Sequence, residues 1–134
     1  MSKQKISIIG DLIIDENKFL GNIGTSLETP NLKGTLEGIN HKIGGAGNII
    51  SSLNMLGYKP YLYSFIGNDY YKFLNEHIKF FGFLKKSKSN STIKTRYWSN
   101  NYKLFQVNQD LKVTDKAKKN LIYVSLEDIF KKNH

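Results

Sequence analysis

The stretch KIGGAGNIISSLNMLG, residues 42–57, limits what this chain can fold into more than any other. Gly44, Gly45, Gly47 and Asn48 stand directly before a segment whose apolar residues at 49, 50, 53, 55 and 56 suit a helix lying on a sheet, and Gly57 sits where such a helix would stop. Upstream, KISIIG is a short run rich in β-branched residues that closes on a glycine, the pattern of a buried strand in an α/β sheet. Asp11 then stands at the carboxyl end of that strand, the side on which open α/β sheets bind ligands. The glycine run is therefore a strand-to-helix connection that could serve as a phosphate cradle, a packing device or a polyol-binding turn. A Walker loop needs Lys followed by Ser or Thr after its last glycine, whereas Gly47 is followed by Asn48 and Ile49. A dinucleotide fingerprint starting at Gly45 would need a glycine where Ile50 stands. Packing and polyol binding remain. Asn48 favours the second, because its amide adds a donor and an acceptor at a helix opening where backbone N–H groups already point outward.

The rest of the chain alternates between short elements. Residues 12–21 and 32–43 mix polar and apolar side chains without helical period and are expected as two exposed strands joined by a loop. PYLYSFIG predicts another strand. NDYYKFLNEHIKFFG offers Asn68 and Asp69 as caps, places Tyr70, Phe73, Leu74, His77, Ile78 and Phe81 on one stripe, and predicts a helix ending at Gly82. KKSKSNS, at 85–91, reads as a polar loop. Residues 91–109 predict two strands around Asn100 and Asn101, which tolerate the positive φ of a tight turn. The run NLIYVS, residues 120–125, predicts a last buried strand, placed at about 121–126.

Length and charge exclude whole classes of function. The 134 residues fit one domain with one site. No run approaches the roughly 20 apolar residues that span a bilayer, so no membrane partner is expected. The chain has no cysteine, and MSKQKISIIG has neither a long apolar core nor a small-residue cleavage site, so a cytoplasmic location is expected. His41, His77 and His134 are far apart, which disfavours a zinc site. The net charge of +9 raises the question of nucleic acid. Its distribution answers against it: only Arg96 is arginine, and the lysines are spread from Lys3 to Lys132, the pattern of solvated surfaces.

The ordered motifs resemble the ribokinase-like carbohydrate kinases of the phosphofructokinase B type. Gly44, Gly45, Ala46, Asn48, Gly57 and Gly67 fit that family's first signature, with Ile50 where a small residue is preferred. IGDLIID resembles the family's opening strand, and IGND its Gly-x-Asp turn after the second core strand. SLETP and IKTR are similar to stretches of the D-glycero-β-D-manno-heptose-7-phosphate kinases of ADP-heptose synthesis. The resemblance covers nearly residues 5–125.

This resemblance implies an α/β fold, a truncated ribokinase-like, Rossmann-type sheet with a small β-strand lid. Residues 1–134 would form a single partial kinase domain. Lid strands would lie at about 12–43 and 92–109, and core elements at 5–10, 46–82 and 121–126. It also implies roles. Asp11 and Asp15 would accept bonds from sugar hydroxyls, Gly44, Gly45 and Asn48 would line the floor, and Lys94 with Arg96 would meet a sugar phosphate through charge-assisted bonds. Each has a plainer reading: Asp11 as a turn cap, Asp15 as a solvated carboxylate, Lys94 as an edge-strand lysine. Tyr97 and Trp98 are read as lid packing or interface, not as a stacking platform.

The complete family enzyme uses ATP and Mg, held by a second half carrying a Gly-Ala-Gly-Asp turn whose aspartate is the catalytic base. Neither cofactor is expected to bind this chain alone, since no glycine follows Gly82. Two further departures are Ser125-Leu126-Glu127 where the heptose kinases carry Ser-Asp-Tyr, and Gln106-Val107-Asn108 where the family carries Arg-x-Asp. The expected function is the sugar- or sugar-phosphate-binding half of an ATP-dependent carbohydrate kinase, inactive alone. A noncatalytic sugar-phosphate binder or lid-mediated interaction module is the alternative, and a basic nucleic-acid adaptor is the third. The partners implied are a sugar or sugar phosphate, a second chain carrying the ATP-binding half, and a second copy docked through the lid.

Overall fold

The computed structural model describes residues 5–132; residues 1–4 and 133–134, His134 among them, lie outside the described residues. Two sheets share the chain. The first is parallel, in the order β1 (Ser7–Ile9), β4 (Tyr61–Gly67), β5 (Phe81–Ser87). The second is mixed, in the order β3 (Leu32–Gly45), β2 (Leu12–Thr25), β6 (Ile93–Ser99), β7 (Tyr102–Gln109), with β2 and β6 parallel and the outer pairs antiparallel. The hairpin between β6 and β7 turns on Asn100 and Asn101, both at positive φ.

The core lies where helices α1 (Ala46–Met55) and α2 (Tyr71–His77) cover one face of the parallel sheet. Leu62 and Ile66 of β4 point into it and meet Leu12, Ala46, Ile50, Leu74 and Ile78, all buried. Alternation along β4 sends Tyr63 to the opposite face, against helix α3 (Asp115–Lys132). There the Tyr63 hydroxyl donates to Asp128 Oδ2 at 2.6 Å. Burial, then this bond and the Asp128 charge, push the phenol well above its ordinary range, so it stays a donor. The parallel sheet is thus covered on both faces, as such sheets require.

Three sequence expectations are corrected. The run at 121–126 is not a strand but the middle of α3. Leu121, Val124, Ser125 and Asp128 turn inward while Ile122, Tyr123, Leu126 and Glu127 stay exposed, a 3.6-residue period that a four-residue apolar run does not reveal. Thr114 caps the helix through Oγ1, which accepts the Ala117 N–H at 3.2 Å. Ser125-Leu126-Glu127 therefore has no strand end at which to be compared with Ser-Asp-Tyr.

The second correction shortens α2. The side-chain amide of Asn54 accepts the Lys79 N–H at 3.0 Å and donates to the Lys79 carbonyl at 2.9 Å, pulling the backbone out of the helix at Ile78. Phe81 and Gly82 then belong to β5. Gly82 has φ +90 and lies over Leu62, where a Cβ would strike the Leu62 carbonyl. Lys85–Ser87 of the expected loop complete that strand. Third, Tyr70 rather than Asn68 or Asp69 occupies the cap position of α2.

Asp69 instead joins the two sheets. Its Oδ1 accepts the Ser91 N–H at 3.0 Å and the Ser91 hydroxyl at 2.7 Å, while the Ser91 Oγ accepts the Gly67 N–H at 3.0 Å. Hydrogen bonds to a charged group contribute about 1.5–3 kcal/mol each. Asp69→Ala is therefore expected to lower the unfolding free energy by about 3 kcal/mol and to open the 88–92 connection to limited proteolysis, with Asp69→Asn intermediate. Equal urea midpoints for wild type and Asp69→Ala would contradict this.

Candidate functional site

The chain crosses between the sheets three times and leaves the mixed sheet once more for α3, and these crossings are stitched together. Leaving β1, it passes through Asp11, whose carbonyl accepts the Ala46 N–H at 2.9 Å; Ile14 N–H donates to the Thr92 carbonyl at 2.8 Å. Gln109 Nε2 donates to the Ser91 carbonyl at 3.1 Å, and Leu111 N–H to Thr92 Oγ1 at 3.0 Å. The neck so formed lies beyond the carboxyl end of β1.

The glycines of the run do different things there. Gly45 takes φ +59 and passes so close to the Asp11 carbonyl that a side chain would collide with it. Gly44 is buried, and the place its Cβ would fill is taken by Asp15 Oδ2. Gly47 is a packing residue, its missing Cβ leaving room for Ile43 and Leu12.

Side-chain alternation puts Asp15, Asn17, Lys94, Arg96 and Trp98 on one face of the mixed sheet. Arg96 Nη1 donates to Asp15 Oδ1 at 2.6 Å, with both side chains about one quarter exposed. The structure thus brings Asp15, Arg96 and Gly44 into contact. Trp98 Nε1 donates to Asn17 Oδ1 at 2.9 Å, and Tyr97, on the other face, stacks on Phe105 at 4.4 Å. Gln106 Nε2 donates to Asn108 Oδ1 at 2.7 Å, a neutral pair where the family pattern has an ionic one.

Asp11 and Lys94 meet elsewhere. They line a cavity of about 420 Å³ at the neck, together with Phe65, Thr92, Asp110 and Lys118. Asn48 is exposed on the first turn of α1, and its side chain bonds to none of the other candidates. Asp110 and Lys118 were missed by the sequence reading. Only the register of α3 decides which lysine of KAKK faces the cavity, and that register was hidden by reading 121–126 as a strand.

The opposite face of the lid carries a second polar cluster. Glu16 accepts from His41 Nε2 at 2.9 Å and Thr95 Oγ1 at 2.9 Å and pairs with Lys18 at 3.2 Å; the His41 ring lies against Tyr70 and Phe73. Burial pushes the Glu16 carboxyl up, but the bonds from His41, Thr95 and Lys18 outweigh it and hold the group below the usual glutamate range.

No protein-family model matches the sequence, and no curated protein matches it. Solved structures do. A Clostridium perfringens protein assigned as a sugar kinase superposes with a TM-score of 0.66 at 15% identity, over 95% of this chain and 41% of that one. The chain has the ribokinase-like fold. A nucleoside kinase of Methanocaldococcus jannaschii, an archaeal member of the ribokinase family, gives 0.59 at 18% identity, over 81% and 37%. A ribokinase of Cryptococcus neoformans, solved with ADP, gives 0.56 at 19%, over 80% and 35%. At such identities the likeness establishes the fold alone. The chain spans about two fifths of the length of these structures. No described helix is long and apolar enough to cross a membrane.

A group held below its ordinary pKa stabilises the fold above the unfolded-state value, and that stability is lost as pH falls through the folded value. Glu16→Gln is therefore expected to cost about 1–3 kcal/mol at pH 7 and much less at a pH below the lowered folded value, where the wild-type carboxylate is also neutralised. Urea unfolding at both pH values checks this; an equal cost at both would contradict it.

Proposed function

We propose that this chain is the sugar-binding portion of an ATP-dependent carbohydrate kinase. The observation that carries the reading is the seat of Asp15: its carboxylate fills the space left by Gly44, beside the Gly44–Gly45 turn, in a fold shared with sugar and nucleoside kinases. A carboxylate so placed keeps lone pairs for sugar hydroxyls even while Arg96 engages Oδ1, and Arg96 orients it. In this reading Gly45 and Asn48 extend the floor, Asp11 faces the adjoining neck cavity, and Asn48 keeps both its donor and its acceptor available. Burial of Gly44 against the carboxylate excludes water from one side of the group.

The SLETP and IKTR motifs favour a heptose 7-phosphate as the sugar. SLETP lies in the exposed loop joining β2 to β3, held by Ser26 N–H donating to the Asn31 carbonyl at 2.8 Å. In this reading the loop contacts substrate as the lid closes. ATP and Mg do not fit the described residues. Residues 110–132 form a connection and a helix without a glycine, so they provide no nest of backbone amides for a transferring phosphate. The nucleotide site, and the base that deprotonates the sugar hydroxyl, belong to a portion outside these residues. The chain's own contribution is to bind the sugar, orient it and shield it.

Heptose 7-phosphate is expected to raise the melting temperature of the wild type, with no further rise on adding ATP and Mg. Asp15→Asn should weaken its binding about tenfold to a hundredfold by calorimetry, with the circular dichroism unchanged. Wild-type protein that binds no sugar phosphate, or an Asp15→Asn variant with undiminished affinity, would overturn the reading.

A further inference from the structure

We propose that Lys118 and Asp110, with Lys94 and Asp11, hold the phosphorylated end of the substrate in the cavity at the neck. This rests on the reading just given and moves the phosphate from the Lys94–Arg96 pair that the sequence motif implies. Arg96 is engaged: it bonds Asp15 at 2.6 Å. Lys94 lies two residues earlier, on the same face, and shares its cavity with Lys118 of α3.

Four charged side chains line this one cavity, two carboxylates and two ammonium groups, and none of them forms an ion pair among the described residues. Charges of both signs that line one space without pairing suit a ligand that itself carries both kinds of partner. A phosphorylated polyol does so, presenting phosphate oxygens to Lys94 and Lys118 and hydroxyl donors to Asp11 and Asp110. The volume, about 420 Å³, falls in the ordinary range for small-molecule sites, and Phe65 gives it an apolar wall.

The wall that carries the two new residues is fixed in place. Leu111 N–H donates to Thr92 Oγ1 at 3.0 Å, Lys112 N–H to Ser89 Oγ at 3.2 Å, and Lys118 N–H to the Thr114 carbonyl at 3.0 Å. The backbone that carries Asp110 and Lys118 is thus held without help from a ligand, which lowers the ordering cost of binding. Helix stability does not select Lys118, since a cation in the opening turn of a helix opposes its dipole.

The test is calorimetry with three probes, heptose 7-phosphate, the unphosphorylated heptose and inorganic phosphate, on wild type, Lys118→Gln and Asp110→Asn, each with its melting temperature checked. Lys118→Gln is expected to weaken heptose 7-phosphate about tenfold and leave the unphosphorylated heptose unchanged, and Asp110→Asn to weaken both sugars. If the wild type binds heptose 7-phosphate and both variants bind it equally well, this inference falls while the sugar-kinase reading stands. If inorganic phosphate binds as tightly as heptose 7-phosphate, the site is a plain anion site and the inference is overturned. If the wild type binds neither sugar, both fall.

Discussion

Two sheets that share little core between them have to be joined by polar bonds, and here the joint is the neck. Asp69 clasps Ser91, Ser91 receives Gly67, Thr92 receives Ile14 and Leu111, and Asp11 receives Ala46. The Asp69 and Gly67 bonds tie the end of β4 to the start of β6, and the others hold the connecting segments to one another and to β2. The geometry of the candidate site follows from this, because Asp11, Lys94 and Asp110 all stand within two residues of a stitched position.

The glycine run shows how one motif can satisfy several constraints at once. Gly47 brings α1 onto Leu12 and Ile43, Gly45 turns the chain past Asp11, and Gly44 vacates the space that Asp15 occupies. The run therefore packs at Gly47, turns at Gly45 and makes room for a carboxylate at Gly44. Any side chain at Gly44 would displace the carboxylate.

Most of the fold was legible in the sequence. The strands of the lid, the Asn100–Asn101 turn, α1 and β4 followed from periodicity and turn chemistry, because in each the local signal agrees with the tertiary one. The failures have a common cause. α2 ends because Asn54, 25 residues upstream of Lys79, captures that residue's backbone, and no local pattern encodes such a bond. The run at 121–126 is too short and too apolar for its period to be read, and only the cap at Thr114 and the Tyr63–Asp128 bond reveal a helix. As candidate residues, Asp15, Gly44 and Arg96 could be picked out from the motifs. The ion pair could not be, since it depends on Asp15 and Arg96 sharing a face of adjacent strands.

The proposed sugar phosphate would be held at the neck between the two sheets. Amide resonances followed in ¹H–¹⁵N spectra during titration with heptose 7-phosphate test this most directly. Shifts centred on Asp11, Asp15, Gly44, Gly45 and Lys118, tapering toward the far end of α1, are the predicted result. Saturable shifts confined to the outer face of α3 around Tyr123 and Phe130, with the neck resonances unmoved, would contradict it.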